Sequence, residues 1–296
     1  MPSASSLPST GPPGGLPLRA ATPSIEGVVV GVKFRKIHGA GNDFILIAGS
    51  SADVDKDWSD TARRLCARRT GIGADGLIVS ALIDTDPAVL GVACFNADGS
   101  IATMCGNALR CAAWCAAKDH SFHEMTLVMA GVKHQALVGD DGIWVTAEAG
   151  AIDPRCLELV WNGHALRFDS AHTGTEHVVA VVDNVDNLDV EECGHLVRHH
   201  PRLAPLGANV NFVQAAGLQE LKIRTYERGV EAETLSCGSG AVAAVVVATL
   251  RGLVTDSPVT VHNRSGTPLT VRPHAERSGA FWIGGPVTLT YQGELR

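Results

Sequence analysis

An α+β fold in two similar halves is predicted by three observations. Short β-rich runs alternate with separate helical segments, the pattern starts over after "GAIDPR" (150–155), and the two halves carry matching strand-loop-helix stretches. "FNADGSIATMCGNALRCAA" and "YERGVEAETLSCGSGAVAA" each pass from an aromatic strand end through a polar loop to Cys-Gly and an Ala-rich helix. Asn96 to Cys105 spans nine residues, Glu227 to Cys237 spans ten, and the two cysteines stand 132 apart. Self-similarity at that offset favours two related domains over one large one.

The elements follow in order. Residues 1–26 are rich in Pro, Ser and Gly, without the basic start and apolar centre of a secretory signal, and read as a disordered leader. The first half, 27–150, offers strands at 28–37, 43–48, 76–82 and 92–95, then a hairpin-like series between Thr126 and Glu148. Its helices are Ser59 to Arg69, with Ser59 as cap, and Cys105 to Lys118. The second half, 151–283, offers strands at 177–182, 210–215 and 221–226, then "PVTVHN" and "PLTVRP". Its helices are Asp189 to His199, stopped by Pro201, and Cys237 to Leu250.

Charge and composition exclude whole classes of function. A net charge of -7, with no block of Lys and Arg, argues against a nucleic-acid partner. The longest apolar run, Ala241 to Leu250, is about half of what a bilayer crossing needs, so no membrane partner is expected. Eight cysteines in 296 residues are too sparse for a disulfide scaffold, and a reducing cytoplasm is the simpler home.

Cys-Gly at a helix start carries chemistry. The first turn of a helix has unpaired N–H groups and roughly half a positive charge, which bind anions and favour a thiolate. If two such starts meet across a domain interface, a carboxylate fits between the N–H groups of Gly106 and Asn107 and those of Gly238 and Ser239. Cys105 and Cys237 then stand on opposite faces of its α-carbon. One thiolate removes the α-proton, the opposite thiol delivers another, and the stereocentre inverts. The remaining cysteines, Cys66, Cys94, Cys111, Cys115, Cys156 and Cys193, read as small buried hydrophobes.

These residues bring a family into view. "KIHGAGNDF" (36–44), "RRTGIGADGLI" (68–78), "FNADGS" (95–100), "MCGNALRC" (104–111), "NVNFV" (209–213), "YERG" (226–229) and "CGSGA" (237–241) occur in this order, and with them the chain resembles the diaminopimelate epimerases. The resemblance covers the chain from about Val32 onward. It implies two pseudo-symmetric α/β domains, each a curled mixed sheet around a central helix, with the active site in the cleft between them. It also implies a last strand, 284–296, that returns to the first domain.

The same resemblance implies cofactor-independent conversion of LL- to meso-diaminopimelate, in lysine and peptidoglycan precursor synthesis, with Cys105 and Cys237 as the acid/base pair. Cys105 would be the base toward the LL isomer. Asn42, Asn96 and Asn209 match substrate-binding positions. Arg228 would grip the distal carboxylate through its planar fork. Glu227 would meet an ammonium and, with His177, tune the thiols. A homodimer is implied too. No metal or cofactor is expected, and the partner is a small amino acid. One departure stands out: the family's Gly-Asn-Pro-His is "GTEH" (174–177) here, so Thr175 replaces a substrate-binding Asn and Glu176 replaces Pro. That puts the choice of distal group in question.

Other signals carry less. "GIGADG" (71–76) fits a dinucleotide fingerprint in letters only, because it precedes a strand and opens no helix, so it reads as a flexible cleft loop. His195 and His199 share a helix face but read as a solvated helix end. Asp75 and Asp98 read as turn residues, and Trp144, Trp161 and Trp282 as core. A two-thiol racemase of another amino acid is the alternative. A thiol redox or metal-binding module is a lesser one, disfavoured because the chain has no C-x-x-C. Facing thiols also predict a Cys105–Cys237 disulfide in air.

Overall fold

The computed structural model describes residues 31–255 and 257–295, so the expected leader, 1–26, and the start of the first expected strand lie outside the described residues. The first half runs β1 (Lys33–Gly39), β2 (Asn42–Ala48), α1 (Ser51–Val54), α2 (Ser59–Cys66), β3 (Gly76–Thr85), β4 (Ala88–Asn96), α3 (Gly106–His120), β5 (Glu124–Met129), β6 (Val132–Gly139) and β7 (Gly142–Glu148). The second runs β8 (Ile152–Trp161), β9 (His164–His172), β10 (Glu176–Val181), α4 (Val190–Arg198), β11 (Asn209–Gly217), β12 (Glu220–Glu227), β13 (Ala232–Thr234), α5 (Gly238–Leu250), β14 (Val259–His262), β15 (Leu269–Pro273) and β16 (Ala280–Gly285). β17 (Val287–Glu294) ends the described chain.

The repeat is topological as well as sequential. In the first half β1 and β2 pair antiparallel, β2 and β3 parallel, β3 and β4 antiparallel, β4 and β5 parallel, and β5, β6 and β7 antiparallel. The series β9, β10, β11, β12, β14, β15, β16 repeats those relations in the same order. β8 flanks β9 as β17 flanks β1, so the last strand supplies the first half with the edge that the second half draws from β8. β16 also pairs with β7, which joins the two sheets.

Each sheet curls round one helix. α3 packs against β1 to β7 and β17, and α5 against β9 to β12, β15 and β16. A helix enclosed on all sides must be apolar all round and slim, and the Ala, Gly and Val content of "GSGAVAAVVVATL" meets both demands. The largest core cluster holds Leu109 and Ala112 of α3 together with Val242 and Ala243 of α5. The seam between the halves is therefore continuous core, which fixes the two helix starts relative to each other.

Several expectations need correction. α2 is capped by Trp58 rather than Ser59 and ends at Cys66, because Ala67 takes an extended ψ of 118°. β8, β9 and β16 escape sequence reading. β8 shows a mostly solvated pattern, includes Pro154, and changes register between Asp153 and Leu157, all marks of an irregular edge. Trp144 is buried, but Trp161 and Trp282 are half-buried, and Trp282 lies flat on His274 with ring centroids 5.4 Å apart.

Candidate active site

The two Cys-Gly helix starts meet. Cys105 and Cys237 are the N-cap residues of α3 and α5, both with extended backbone, so each thiol sits where a capping side chain normally satisfies the first turn. A methyl group built on Gly238 would lie 3.4 Å from the Gly106 Cα, so the two helix starts stand in direct contact. The N–H groups of Gly106, Gly238 and Ser239 find no acceptor among the described residues, and that of Asn107 meets only the Cys105 sulfur. A carboxylate placed there would meet donors from both helices.

Side chains clasp the two starts from behind. Asn107 Nδ2 donates to the Ser236 carbonyl at 3.0 Å and to Asn42 Oδ1 at 3.1 Å, while its Oδ1 accepts from the buried Arg110 at 2.6 Å. Asn42 in turn donates to Asp75 Oδ2 at 2.8 Å, and Asp75 pairs with Arg68. Asp75 is thus no simple turn residue, and Gly71 of the same loop packs against the α2 backbone, so the loop is built in rather than loose. Asn42 and Asn107 spend their amides on each other and on this scaffold. These side chains hold the two helix starts together.

Behind Cys237 runs a polar relay. Asn211 Oδ1 accepts the Thr225 hydroxyl, which turns its Nδ2 toward His177 Nδ1 at 3.0 Å. His177 then carries its proton on Nε2 and donates to Ser239 Oγ at 3.0 Å, and Ser239 Oγ lies 3.5 Å from Cys237 Sγ. A side chain at Gly240 would strike Asn211 Oδ1 at 2.6 Å, so this glycine admits the relay. Burial, then the nearby Arg228 and His172, push His177 down to about 3, so the ring is neutral.

The thiols are displaced in opposite directions. Cys105 is lowered, chiefly by the Cys94 thiol beneath it and by the Ala108 and Asn107 N–H groups, against burial and the Glu227 charge. Cys237 is raised, chiefly by burial and then by Glu227, with Ser239 and the Gly240 N–H opposing. The opposite displacements divide the roles as a two-base inversion needs, with Cys105 the easier of the two to ionise and Cys237 the one that keeps its proton. Glu227 itself is pushed up to about 7, mainly by burial, while Thr234 donates to its Oε2 at 2.9 Å and holds it down.

A cavity of about 370 Å³ opens beside these groups, with Asn96, Cys105, Thr175, Asn209, Glu227, Arg228 and Ser239 among its lining residues. Cys237, His177, Gly106, Asn107 and Gly238 stand behind this wall, and Asn42 lies on the Asp75 side. Asn96 and Glu227 occupy matching strand ends, of β4 and β12. Asn209 accepts the Arg228 N–H and donates to the Glu176 carbonyl, locking those two segments together. A larger cavity, about 750 Å³, lies at the edge formed by β1, β2 and β17 and includes neither cysteine. Chemistry, not volume, marks the site.

Sequence reading missed Asn211, Thr173, Ser236, Arg110 and Cys94. Asn211 could have been found, because it shares a strand face with Asn209 in "NVNFV". Thr173, whose hydroxyl donates to the Ser239 carbonyl at 3.0 Å, left no signal. His195 and His199, set aside as metal ligands, stand with ring centroids 4.7 Å apart and planes tilted by 57°, and His195 meets the Tyr226 hydroxyl at 3.2 Å.

The family model described as diaminopimelate epimerase matches residues 34–152 and 170–289, one stretch in each half. The chain belongs to the diaminopimelate epimerase family. Curated family relatives include those of Aquifex aeolicus, 35% identical over 89% of this chain and 98% of that protein, and Chlorobaculum tepidum, 37% identical over 88% and 99%. The fold is shared with more distant proteins. A hydroxyproline epimerase from Agrobacterium vitis has a TM-score of 0.65 at 16% identity, covering 89% of this chain and 92% of its own. A probable proline racemase from Agrobacterium radiobacter has 0.68 at 13%, covering 90% and 93%. The family's two-domain mixed fold is the one described here.

The buried neutral His177 has a consequence for folding. Its folded value, about 3, lies below its ordinary 6.5, so as pH falls through 6.5 the unfolded chain binds a proton that the folded chain refuses. Stability is then lost at roughly 1.4 kcal/mol per pH unit until pH 3. Urea unfolding of wild type and His177→Asn at pH 7.5 and pH 5 checks this: the wild-type advantage is expected to shrink by about 2 kcal/mol at the lower pH. An unchanged gap would refute a neutral, proton-excluding His177.

Proposed function

We propose that the protein converts LL-diaminopimelate to meso-diaminopimelate without a cofactor, as a step toward lysine and peptidoglycan precursors. The observation that carries this reading is the pair of abutting helix starts capped by Cys105 and Cys237, with thiols displaced in opposite directions. The reacting carboxylate lies between the N–H groups of Gly106, Asn107, Gly238 and Ser239. The Cys105 thiolate takes the α-proton of the LL isomer, and the N–H groups hold the charge that spreads onto the carboxylate. The Cys237 thiol gives its proton to the opposite face, which leaves a thiolate at Cys237 and a thiol at Cys105. The reverse reaction starts from that state.

The His177–Ser239 relay supports the Cys237 thiolate once it forms. Asn96 and Asn209 line the substrate, Glu227 meets the distal ammonium, and Arg228 meets the distal carboxylate. A cytoplasmic homodimer completes the reading. The experiment is α-deuterium incorporation and inversion of LL-diaminopimelate in heavy water with reductant, with lysine, glutamate and histidine in parallel. Exchange and inversion of diaminopimelate support the reading, and exchange confined to another amino acid would overturn the substrate.

A two-thiol racemase of another polar amino acid is the second reading, favoured by Thr175. Its hydroxyl accepts from Arg228 at 2.7 Å, where an amide would offer both donors and an acceptor. Thr175→Asn is expected to lower the Michaelis constant for diaminopimelate by about three- to tenfold, the worth of one or two hydrogen bonds. A Michaelis constant that stays put would remove Thr175 as a determinant of selectivity.

A further inference from the structure

The arginine proposed for the distal carboxylate already has an anion. Arg228 Nη1 donates to Glu176 Oε2 at 2.9 Å, and Nη2 donates to Thr175 Oγ1 at 2.7 Å, so both arms of the fork are engaged. The backbones of the pair are held in place by Asn209, which bonds the Glu176 carbonyl and the Arg228 N–H. The carboxylate of Glu176 is the more exposed member: its side chain is 41% exposed against 25% for Arg228. Its other oxygen lies 3.9 Å from His172 Nε2, which offers it a second partner on leaving. The other arginine on this wall, Arg198, is also paired, with Glu231 at 3.1 Å. An incoming carboxylate therefore meets no unpaired guanidinium among the residues lining this cleft.

Resting on the reading above, we infer that Glu176 is a resident counter-ion that occupies Arg228 in the ligand-free protein, and that the distal carboxylate of the substrate binds by displacing it. The displacement weakens diaminopimelate binding. An amino acid without a distal carboxylate leaves the pair intact and escapes that penalty. Glu176 thus narrows the preference for a distal carboxylate, and a residue outside the reacting centre sets selectivity.

The test combines kinetics with binding. Wild type, Glu176→Gln and Glu176→Ala are compared for the Michaelis constant of LL-diaminopimelate, for α-exchange of lysine, and for calorimetric binding of pimelate as a bare dicarboxylate probe. Loss of a partly exposed ion pair is worth about two- to fivefold. Both variants are expected to lower the Michaelis constant and the pimelate Kd by that factor, with the effect on KM rather than kcat and no gain for lysine. Turnover of diaminopimelate with both constants unchanged or raised would overturn the counter-ion and leave the substrate reading standing. Tighter pimelate binding in the variants, with no diaminopimelate turnover by any of the three proteins, would support the counter-ion and overturn the substrate.

Discussion

Cys105→Ala and Cys237→Ala are each expected to lower epimerisation by about 10²–10⁴-fold, the range for removal of one positioned acid or base. The two losses should differ in kind. Cys237→Ala keeps the thiol that is lowered in the resting protein, so it should still exchange the LL α-proton with solvent, slowly and without inversion. Cys105→Ala keeps only the raised thiol and should exchange that proton far less. Mass spectrometry of label uptake beside chiral analysis separates exchange from inversion. Full inversion by either variant would remove the two-base assignment. Both thiols are free in the structure, and closing them into a disulfide in air should silence the protein in the same way, reversibly with reductant.

Glu227→Gln is expected to raise stability while it lowers activity. The carboxyl sits at about 7 in the folded protein against an ordinary 4.5, so between those values the folded chain holds a proton that the unfolded chain has released. Stability therefore falls as pH rises from 4.5 to 7, and above that the buried charge costs about 3 kcal/mol. The amide keeps the Thr234 bond and drops the charge, so the variant should melt above wild type at pH 8, with the two converging near pH 5. Glu227 also raises both thiols, so its removal should move the acidic limb of kcat/KM to lower pH. Loss of its contact to an ammonium should cost about 10- to 100-fold in kcat/KM. A variant no more stable than wild type at pH 8 would show that the charge is well solvated.

What the sequence made legible followed from local rules. The enclosed helices announced themselves as Ala-rich stretches after Cys-Gly, and the repeat placed Asn96 and Glu227 at equivalent strand ends before either strand was seen. The edge strands β8 and β17 stayed hidden, because β8 is interrupted by Pro154 and a register change, and β17 has only three apolar residues in eight. β17 was expected only through family resemblance. In the site, cap residues and glycines were readable because their conformational demands are local. The groups that hold them were not. Asn42 and Asp75 stand 33 positions apart in sequence, Thr173 and Ser239 66, and only the closed sheet brings them together. The Glu176–Arg228 pair was invisible for the same reason, although both residues had been singled out separately.

The abutting starts of α3 and α5 place two like poles against each other. Each helix presents its positive end, and among the described residues no side-chain carboxylate bonds to the N–H groups of Gly106, Asn107, Gly238 and Ser239. That arrangement is repulsive across a seam that is otherwise solid core. The carboxylate that enters is therefore more than a passenger. In the proposed reading it supplies the counter-charge that the two helix starts share, so substrate binding should also raise the melting temperature.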